Sequence, residues 1–521
     1  MKEASLFLYD HIKEFRSCYA LKIGSKKISY EEVLHRALTL SAFLIDNGTN
    51  KETIGIVGQR KSSSYIGLLG VLFAGCSFTP INPKYNITKI NSIIKSSNIR
   101  ILVGDLEDIL ALDKSITSRM LLNIIPDGLF HKKIPNNYID QSILKSISPL
   151  KEPIQSKHDD LAYINYTSGS TGTPKGVKVL RSNLFYFLKN MSNMYQLEKG
   201  FRASQMFDFS FDPSVADILF TWLKGGLLCI VPEEELILPS GFIVREKINF
   251  WNSVPSIANF MIKTGNLEKN SFPELTHSMF CGEQFPIHVA KAWSAAAPNS
   301  TIENLYGPTE GTIYITRYVF TLEDEKKSFK NDIVPIGTPF DYHSSVIIDE
   351  NDKPIEDSQI GEIIFSGPQI TNGYLDDQSK TDMAFTSFNW DSSSLIWYRT
   401  GDLGYRNSSG DIECIGRKDS QIKIAGRRVE IGEIESALSR FKKTEGVIVV
   451  PLKDNQNIVI GCVGYTLDDI TKEQILRIRK DIIEFLDPVF FPKKIISISQ
   501  FPKSMSGKID RKKLEIMAKD I

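Results

Sequence analysis

The sequence predicts an α/β protein in two parts. A large N-terminal domain of βα subdomains ends in a β-hairpin or barrel subdomain, and a small C-terminal α+β domain follows. Three observations lead there. Short apolar runs alternate with amphipathic stretches through the first two thirds of the chain. Two segments near residues 360 and 411 switch to strict period-two alternation. After Arg417 a polar connector opens a tail with its own strand and helix pattern.

Taken in order, residues 99–103, 162–166, 227–231 and 278–281 read as buried strands, and residues 183–195 and 287–297 as amphipathic helices. Residues 360–366 and 411–415 read as strands of a hairpin subdomain, with Ser408, Ser409 and Gly410 as a turn. In the tail, the pattern is strand 421–425, helix 432–440, strands 446–452 and 458–465, helix 471–486 and strand 494–499. The expected domains are therefore 1–417 and 418–521. A chain of 521 residues exceeds one hydrophobic core, which fits that division.

Composition excludes several classes. Hydrophobic residues make up 42% and charged residues 24%, values that disfavour disorder and fibrous repeats. Lys+Arg and Asp+Glu both total 62, so no net basic field exists to hold nucleic acid. Cys18, Cys76, Cys229, Cys281, Cys414 and Cys462 show no zinc spacing and read as free thiols. The N-terminus lacks a secretory pattern, and no stretch approaches the ~20 apolar residues of a membrane helix. A cytoplasmic protein with no membrane insertion is expected.

Residues 166–176 read Tyr-Thr-Ser-Gly-Ser-Thr-Gly-Thr-Pro-Lys-Gly. The hydroxyls of Thr167, Ser168, Ser170 and Thr171, the backbone at Gly169 and Gly172, and Lys175 suit a phosphate cradle. It is not a Walker A loop, because Pro174 stands where the second glycine of that motif belongs. This loop resembles that of the adenylate-forming superfamily of acyl-CoA synthetases, luciferases and peptide-synthetase adenylation domains. The resemblance extends over nearly the whole chain, from residues 28–33 and 69–83 onward, and Asn82 stands where amino-acid-activating relatives usually carry Asp.

That resemblance implies ATP and Mg²⁺ as cofactors and assigns roles by position. In residues 304–310, Asn-Leu-Tyr-Gly-Pro-Thr-Glu, it puts Tyr306 on the adenine face and Asn304 at adenine's polar edge, with Leu305 and Gly307 in the same turn. It puts Thr309 at the α-phosphate and Glu310 on the metal. Gly282, Glu283 and Gln284 match the segment flanking adenine. Asp402 would accept from both ribose hydroxyls, Arg417 would contact ribose or phosphate, and Asp419 would be the hinge between domains. Lys508, in the Ser-Gly-Lys motif near the C-terminus, is the implied catalytic residue. Attack of a carboxylate on an anionic phosphate calls for positioned cations more than for a base. Residues 486–492, Leu-Asp-Pro-Val-Phe-Phe-Pro, depart from the usual family segment there.

Asp212, in Phe-Asp-Pro-Ser, falls where amino-acid-activating members place a carboxylate for the substrate ammonium. Fatty-acid and aryl-acid activators generally lack it. The competing reading is a helix N-cap, since Asp-Pro-Ser precedes an apolar helix. Pro213, Ala216, Ser256, Met279, Cys281, Leu305, Ile313 and Tyr314 complete the implied acyl pocket and add no second charge. Residues 253–256 and 280–283 are similar to D-alanine:D-alanyl carrier protein ligases, which favours alanine and leaves glycine, serine, proline and valine open. The expected activity is amino-acid adenylation, then transfer to the phosphopantetheine thiol of a separate carrier protein. The alternative is an acyl- or aryl-CoA ligase of the same fold. A module without catalysis is disfavoured by the joint presence of Lys175, Glu310, Asp402, Arg417 and Lys508.

Overall fold

The computed structural model describes residues 3–58, 60–129, 136–167, 174–321, 323–324, 329, 332–441, 444, 446–454, 459–484, 486–503 and 509–519. Two large sheets form the body. The first has seven strands in the order Tyr138–Ile139, Leu122–Ile124, Ile101–Gly104, Thr53–Val57, Ser77–Ile81, Leu161–Thr167 and Lys175–Leu180, parallel except for the last pair. The second has nine strands, with parallel Tyr19–Ile23, Leu227–Ile230, Arg202–Gln205, Phe250–Ser253, His277–Cys281 and Thr301–Tyr306 at its centre. Strands such as Ile101–Gly104 and Leu227–Ile230 are buried throughout, as a parallel sheet covered on both faces requires.

The largest core lies where the helices Ala4–Ile12, Tyr30–Asp46, Ser62–Phe73, Arg181–Met194 and Pro213–Leu223 meet these sheets. Helix Pro213–Leu223 is buried at every position, and Trp222 anchors it by donating its indole N–H to Ala20 O at 2.9 Å. An entirely buried helix leaves any acid on it or just before it without bulk water.

A third, antiparallel sheet contains Ser344–Ile348, Gly361–Ser366, Trp397–Arg406, Phe385–Thr386 and Ile412–Arg417. Its turn at 407–411 contains Gly410 at φ +87°, as the Ser-Ser-Gly signal suggested. Beyond Arg417 the tail builds the hairpin Gln421–Ile424 and Arg427–Glu430, the helix Ile431–Leu438, and a sheet of Ile448–Lys453, Val459–Thr466 and Lys494–Ser497. It has its own hydrophobic core, which includes Phe490 and Phe491 from the departing 486–492 segment.

Three features of the tail differ from the sequence reading. Strand Arg427–Glu430 and helix Arg511–Lys519 were not expected. The helix read as 471–486 ends at Asp481 and tightens into the 3-10 turn Ile482–Glu484. The hairpin turn is two residues long, with Ala425 at φ +49° and Gly426 at φ +74°. Ala-Gly lacks the usual Asn-Gly or Asp-Gly signal, and the paired arginines after it hide a strand. Among the described residues no helix is long and apolar enough to cross a membrane. All six cysteines are free.

Candidate active site

The C-terminal ends of strands Leu161–Thr167, His277–Cys281 and Thr301–Tyr306 converge on one cavity of about 120 Å³, the place where parallel sheets bind ligands. Thr167, Asp212, Gly282, Tyr306, Thr309, Asp402 and Arg417 all reach it. The tail closes it from the other side with Lys423, Gly426, Arg427 and Arg428. Residues from motifs some 250 positions apart in the chain are thus brought within one site.

Tyr306 and Asp402 form its first fixed pair. The Tyr306 hydroxyl donates to Asp402 Oδ2 at 2.5 Å, and Arg417 Nη1 donates to Asp402 Oδ1 at 2.8 Å. Arg417 reaches on to Asp419, donating from Nε and Nη2 to its two carboxylate oxygens at 2.7 Å each. The expected ribose carboxylate and the expected hinge residue therefore share one guanidinium. Gly307 follows Tyr306 because the chain doubles back there: a Cβ on it would stand 2.3 Å from Ile313 O.

Glu310 is fully buried; its Oε1 accepts from the Tyr374 hydroxyl at 2.7 Å, and its Oε2 pairs with Arg428 at 3.5 Å. Burial alone would raise its carboxyl, but Arg428, the Tyr374 hydroxyl and Lys175 outweigh that and hold it below the usual carboxylate range. Lys175 itself lies over the Tyr374 ring, 5.3 Å from its centre, and burial together with Arg428 lowers its pKa. Thr167 presents a buried hydroxyl with no partner among the described residues at the cavity wall. An anionic group bearing several oxygens fits this set of donors. Among the described residues no group of three or more His, Cys, Asp or Glu is arranged to hold a metal alone. A cation here would take one protein carboxylate, Glu310, and fill its shell from phosphate and water.

Glu283 joins the two parts of the chain. Its Oε2 accepts from Ser256 N at 2.9 Å and its Oε1 from Gly426 N at 2.7 Å. Gly282, at φ +80°, makes the turn that precedes it, and Gln284 is half-buried beside it. Asn304 Nδ2 donates to the carbonyls of Val334 at 3.1 Å and Pro335 at 2.9 Å, which braces that segment and leaves the amide oxygen as the atom to face a ligand. Ser168, Gly169, Ser170, Thr171, Gly172 and Lys508 lie outside the described residues.

The acyl pocket begins at Asp212. This residue precedes helix Pro213–Leu223 but makes no side-chain cap bond and has helical angles, φ −61° and ψ −23°, which removes the N-cap reading. Its Oδ2 is buried without a partner, and its carboxyl is pushed up to about 7 by burial and by Glu310, against the opposing pull of Thr309 and Lys423. A buried carboxylate so placed favours a cationic ligand. Pro213, Ile313 and Tyr314 also line the cavity. Cys281 meets Tyr314, whose hydroxyl donates to Sγ at 3.4 Å. Met279 lies deeper, its Sδ 3.5 Å from the Tyr195 hydroxyl, which donates to Glu303 Oε2 at 2.6 Å. Ala216 and Leu305 are buried in the main core, and Ser256 belongs with the Glu283 clamp.

The sequence reading missed Tyr374, Arg428, Asn252 and Asp217. Asp217 had a visible signal, an acid within the otherwise apolar helix Pro213–Leu223. A network on the tail side was also missed: Asn82 donates to Asp208 Oδ2 at 2.7 Å, and Arg427 pairs with that same oxygen at 3.5 Å and with Asp487 at 2.5 Å. An amide at position 82 suits a neighbouring carboxylate better than the Asp usual in relatives would.

Comparison with known proteins gives the chain's family. The family model described as AMP-binding enzyme matches residues 9–375. The D-alanine–D-alanyl carrier protein ligase of Bacillus licheniformis is 30% identical over 499 residues, 94% of each chain. The ligase of the same name from Listeria welshimeri is 31% identical over 512 residues, 95% of each. A Vibrio cholerae adenylation domain solved in complex with glycyl-adenosine-5'-phosphate superposes with TM-score 0.84 at 27% identity, covering 98% of this chain and 96% of that one. A site built from the ends of parallel strands and closed by a small C-terminal domain, matched over most of its length by these proteins, places the chain in the AMP-binding enzyme family of adenylate-forming ligases.

Proposed function

We propose that this enzyme activates a small amino acid, alanine first, with ATP and Mg²⁺, and passes the aminoacyl group to the phosphopantetheine thiol of a separate carrier protein. The observation that carries the proposal is Asp212, a buried carboxylate with an unpartnered oxygen beside the acyl pocket. It gives the substrate ammonium a counter-charge that a fatty or aryl acid has no use for. The names of the relatives, D-alanine ligases, and the glycyl adenylate in the Vibrio structure support a small substrate.

In this reading the amino-acid carboxylate attacks the α-phosphorus of ATP, pyrophosphate leaves, and a mixed anhydride forms. Mg²⁺ on Glu310 neutralises phosphate charge when bound. Thr167, Thr309 and Lys175 orient phosphate oxygens, Asp402 and Arg417 hold the ribose, and Lys508 supplies the cation that accompanies charge transfer. In the second half-reaction the thiolate attacks the acyl carbon and AMP leaves. A cleft of about 980 Å³ shares Tyr85, Lys89, Phe211, Arg427 and Asp487 with the inner cavity and offers a path for a pantetheine arm. Residues 1–417 and 418–521 act as the two moving units, with Asp419 at their junction.

The test is ATP–pyrophosphate exchange with a panel of amino acids, both alanine enantiomers, and small acids lacking an ammonium group. Exchange with alanine or glycine is expected. Exchange with the ammonium-free acids instead would establish the CoA-ligase reading.

A further inference from the structure

Behind the cavity wall lies a buried polar cluster that the mechanism above does not use. Asp217, on helix Pro213–Leu223 five residues beyond Asp212, is 4% exposed, and its Oδ1 accepts from Asn252 Nδ2 at 2.7 Å. The same amide nitrogen lies 3.0 Å from the Tyr314 hydroxyl. Tyr314 in turn donates to Cys281 Sγ at 3.4 Å, and the Cys281 thiol points to Asn252 Oδ1 at 3.8 Å. Asn252, Tyr314 and Cys281 are each 1% exposed.

The donors and acceptors of this ring can be counted. Asn252 has two amide hydrogens, one for Asp217 and one for Tyr314. The Tyr314 oxygen is then an acceptor, so its own proton goes to Cys281. The Cys281 proton goes to the Asn252 carbonyl, which closes the ring. Asp217 sits at its edge, where its Oδ1 takes one of the two Asn252 amide hydrogens. A flipped amide would turn its carbonyl toward that accepting oxygen and withdraw its N–H groups from both Asp217 and Tyr314. Burial holds the Asp217 carboxyl well above the usual range, which disfavours a second counter-charge beside Asp212.

We propose that Asp217 is a positioning residue for substrate selection: by orienting Asn252 it locks Tyr314, backed by Cys281, as the floor of the acyl pocket and so limits activation to short side chains. This rests on the amino-acid reading above. Tyr314 is the ring member that lines the cavity, so a shift at Asp217 reaches substrate through it.

The experiment compares wild type, Asp217→Ala, Asp217→Asn and Tyr314→Phe for exchange with alanine, valine and leucine, with thermal unfolding measured alongside. Asp217→Ala leaves an Asn252 N–H unpaired. The expected result is an alanine KM raised about tenfold with kcat little changed, and valine or leucine gaining about tenfold relative to alanine. Asp217→Asn retains an acceptor and is expected to restore most of the selectivity. Tyr314→Phe is expected to relax selectivity in the same direction. A merely structural role would lower the unfolding temperature and depress all substrates in proportion. Unchanged substrate ratios in Asp217→Ala would overturn the proposal, as would unchanged ratios in Tyr314→Phe if Asp217→Ala does not fold. A wild type that exchanges with no amino acid would overturn the amino-acid reading and this inference together, whereas a selective wild type with insensitive variants would overturn this inference alone.

Discussion

The backbone N–H of Gly426 lies 2.7 Å from Oε1 of Glu283 and donates to it. That bond seats the tail hairpin against the segment that follows strand His277–Cys281. In the same arrangement Lys423 stands 5.7 Å from the centre of the Tyr306 ring and Arg428 pairs with Glu310. The hairpin thus closes the cavity beside the Tyr306 ring and Glu310.

Gly426→Val follows directly. Gly426 has φ +74°, and a Cβ there would stand 2.6 Å from Val254 Cγ1. A β-branched residue faces both the left-handed penalty of ~1–2 kcal/mol and that clash. Thioester formation, measured in single turnover from preformed adenylate, should fall at least tenfold while exchange stays within about threefold. Equal losses would mean that the hairpin serves both steps.

Asp212 predicts a pH dependence. Its carboxyl titrates near 7 in the folded enzyme, and its ionised form is the partner of an ammonium group. The amino-acid KM should therefore fall as pH rises from 6 to 8, and Asp212→Asn should abolish that trend and raise KM about 10–100-fold. Stability runs the opposite way. A carboxyl raised from 3.8 to about 7 contributes stability that is complete below 3.8 and lost as pH rises through 7. Ligand-free Asp212→Asn should thus gain unfolding temperature over wild type at pH 8 and match it near pH 3.5. A wild type and variant that track each other across this range would discount the burial of this charge.

Asp212 also shows what the sequence could reveal: it was singled out because a carboxylate in a fixed motif has few uses. The setting of Glu310 was not legible. Arg428 and Tyr374 approach Glu310 from positions 118 and 64 residues away, and no local pattern encodes such pairings. Asn304 carries a further bond that its motif does not reveal, because its amide N–H groups hold a loop 30 residues on. The βα alternation was readable throughout the body. The second hairpin strand of the tail was not, because charge and an atypical turn masked its period.

Glu310→Gln should retain the Tyr374 hydrogen bond and lose the charge that a cation needs. Exchange is expected to fall about 10²–10³-fold and to require more Mg²⁺. Removing divalent cations with EDTA should stop exchange in wild type. Exchange that survives EDTA would remove the metal from the reading.

Lys508→Ala should reduce exchange by about two to four orders of magnitude, with ATP binding measured by calorimetry little altered, because its charge counts in the transition state. Transfer from a supplied adenylate should be nearly unaffected. A variant that exchanges like wild type would leave that cationic role to another residue.

The last prediction concerns the connector. Arg417 holds Asp402 with one nitrogen and Asp419 with two others, so a residue of the nucleotide site grips the joint on which the tail would turn. Lys418 N donates to Gly401 O at 2.8 Å on one side, and Gln421 N donates to Asp419 Oδ1 at 3.1 Å on the other. Rotation of the tail must release these bonds and change a few backbone angles here. Two substitutions separate the contributions. Asp419→Ala removes the carboxylate and leaves the dihedrals free. Asp419→Pro removes it, fixes φ near −65°, and narrows the angles open to Lys418. Exchange should persist in part in both. Transfer to the thiol should be about tenfold slower in Asp419→Pro than in Asp419→Ala, measured on the same preparations. If the two variants transfer equally, the carboxylate matters and the dihedral does not. If Asp419→Pro instead slows exchange and transfer alike, the joint lies elsewhere.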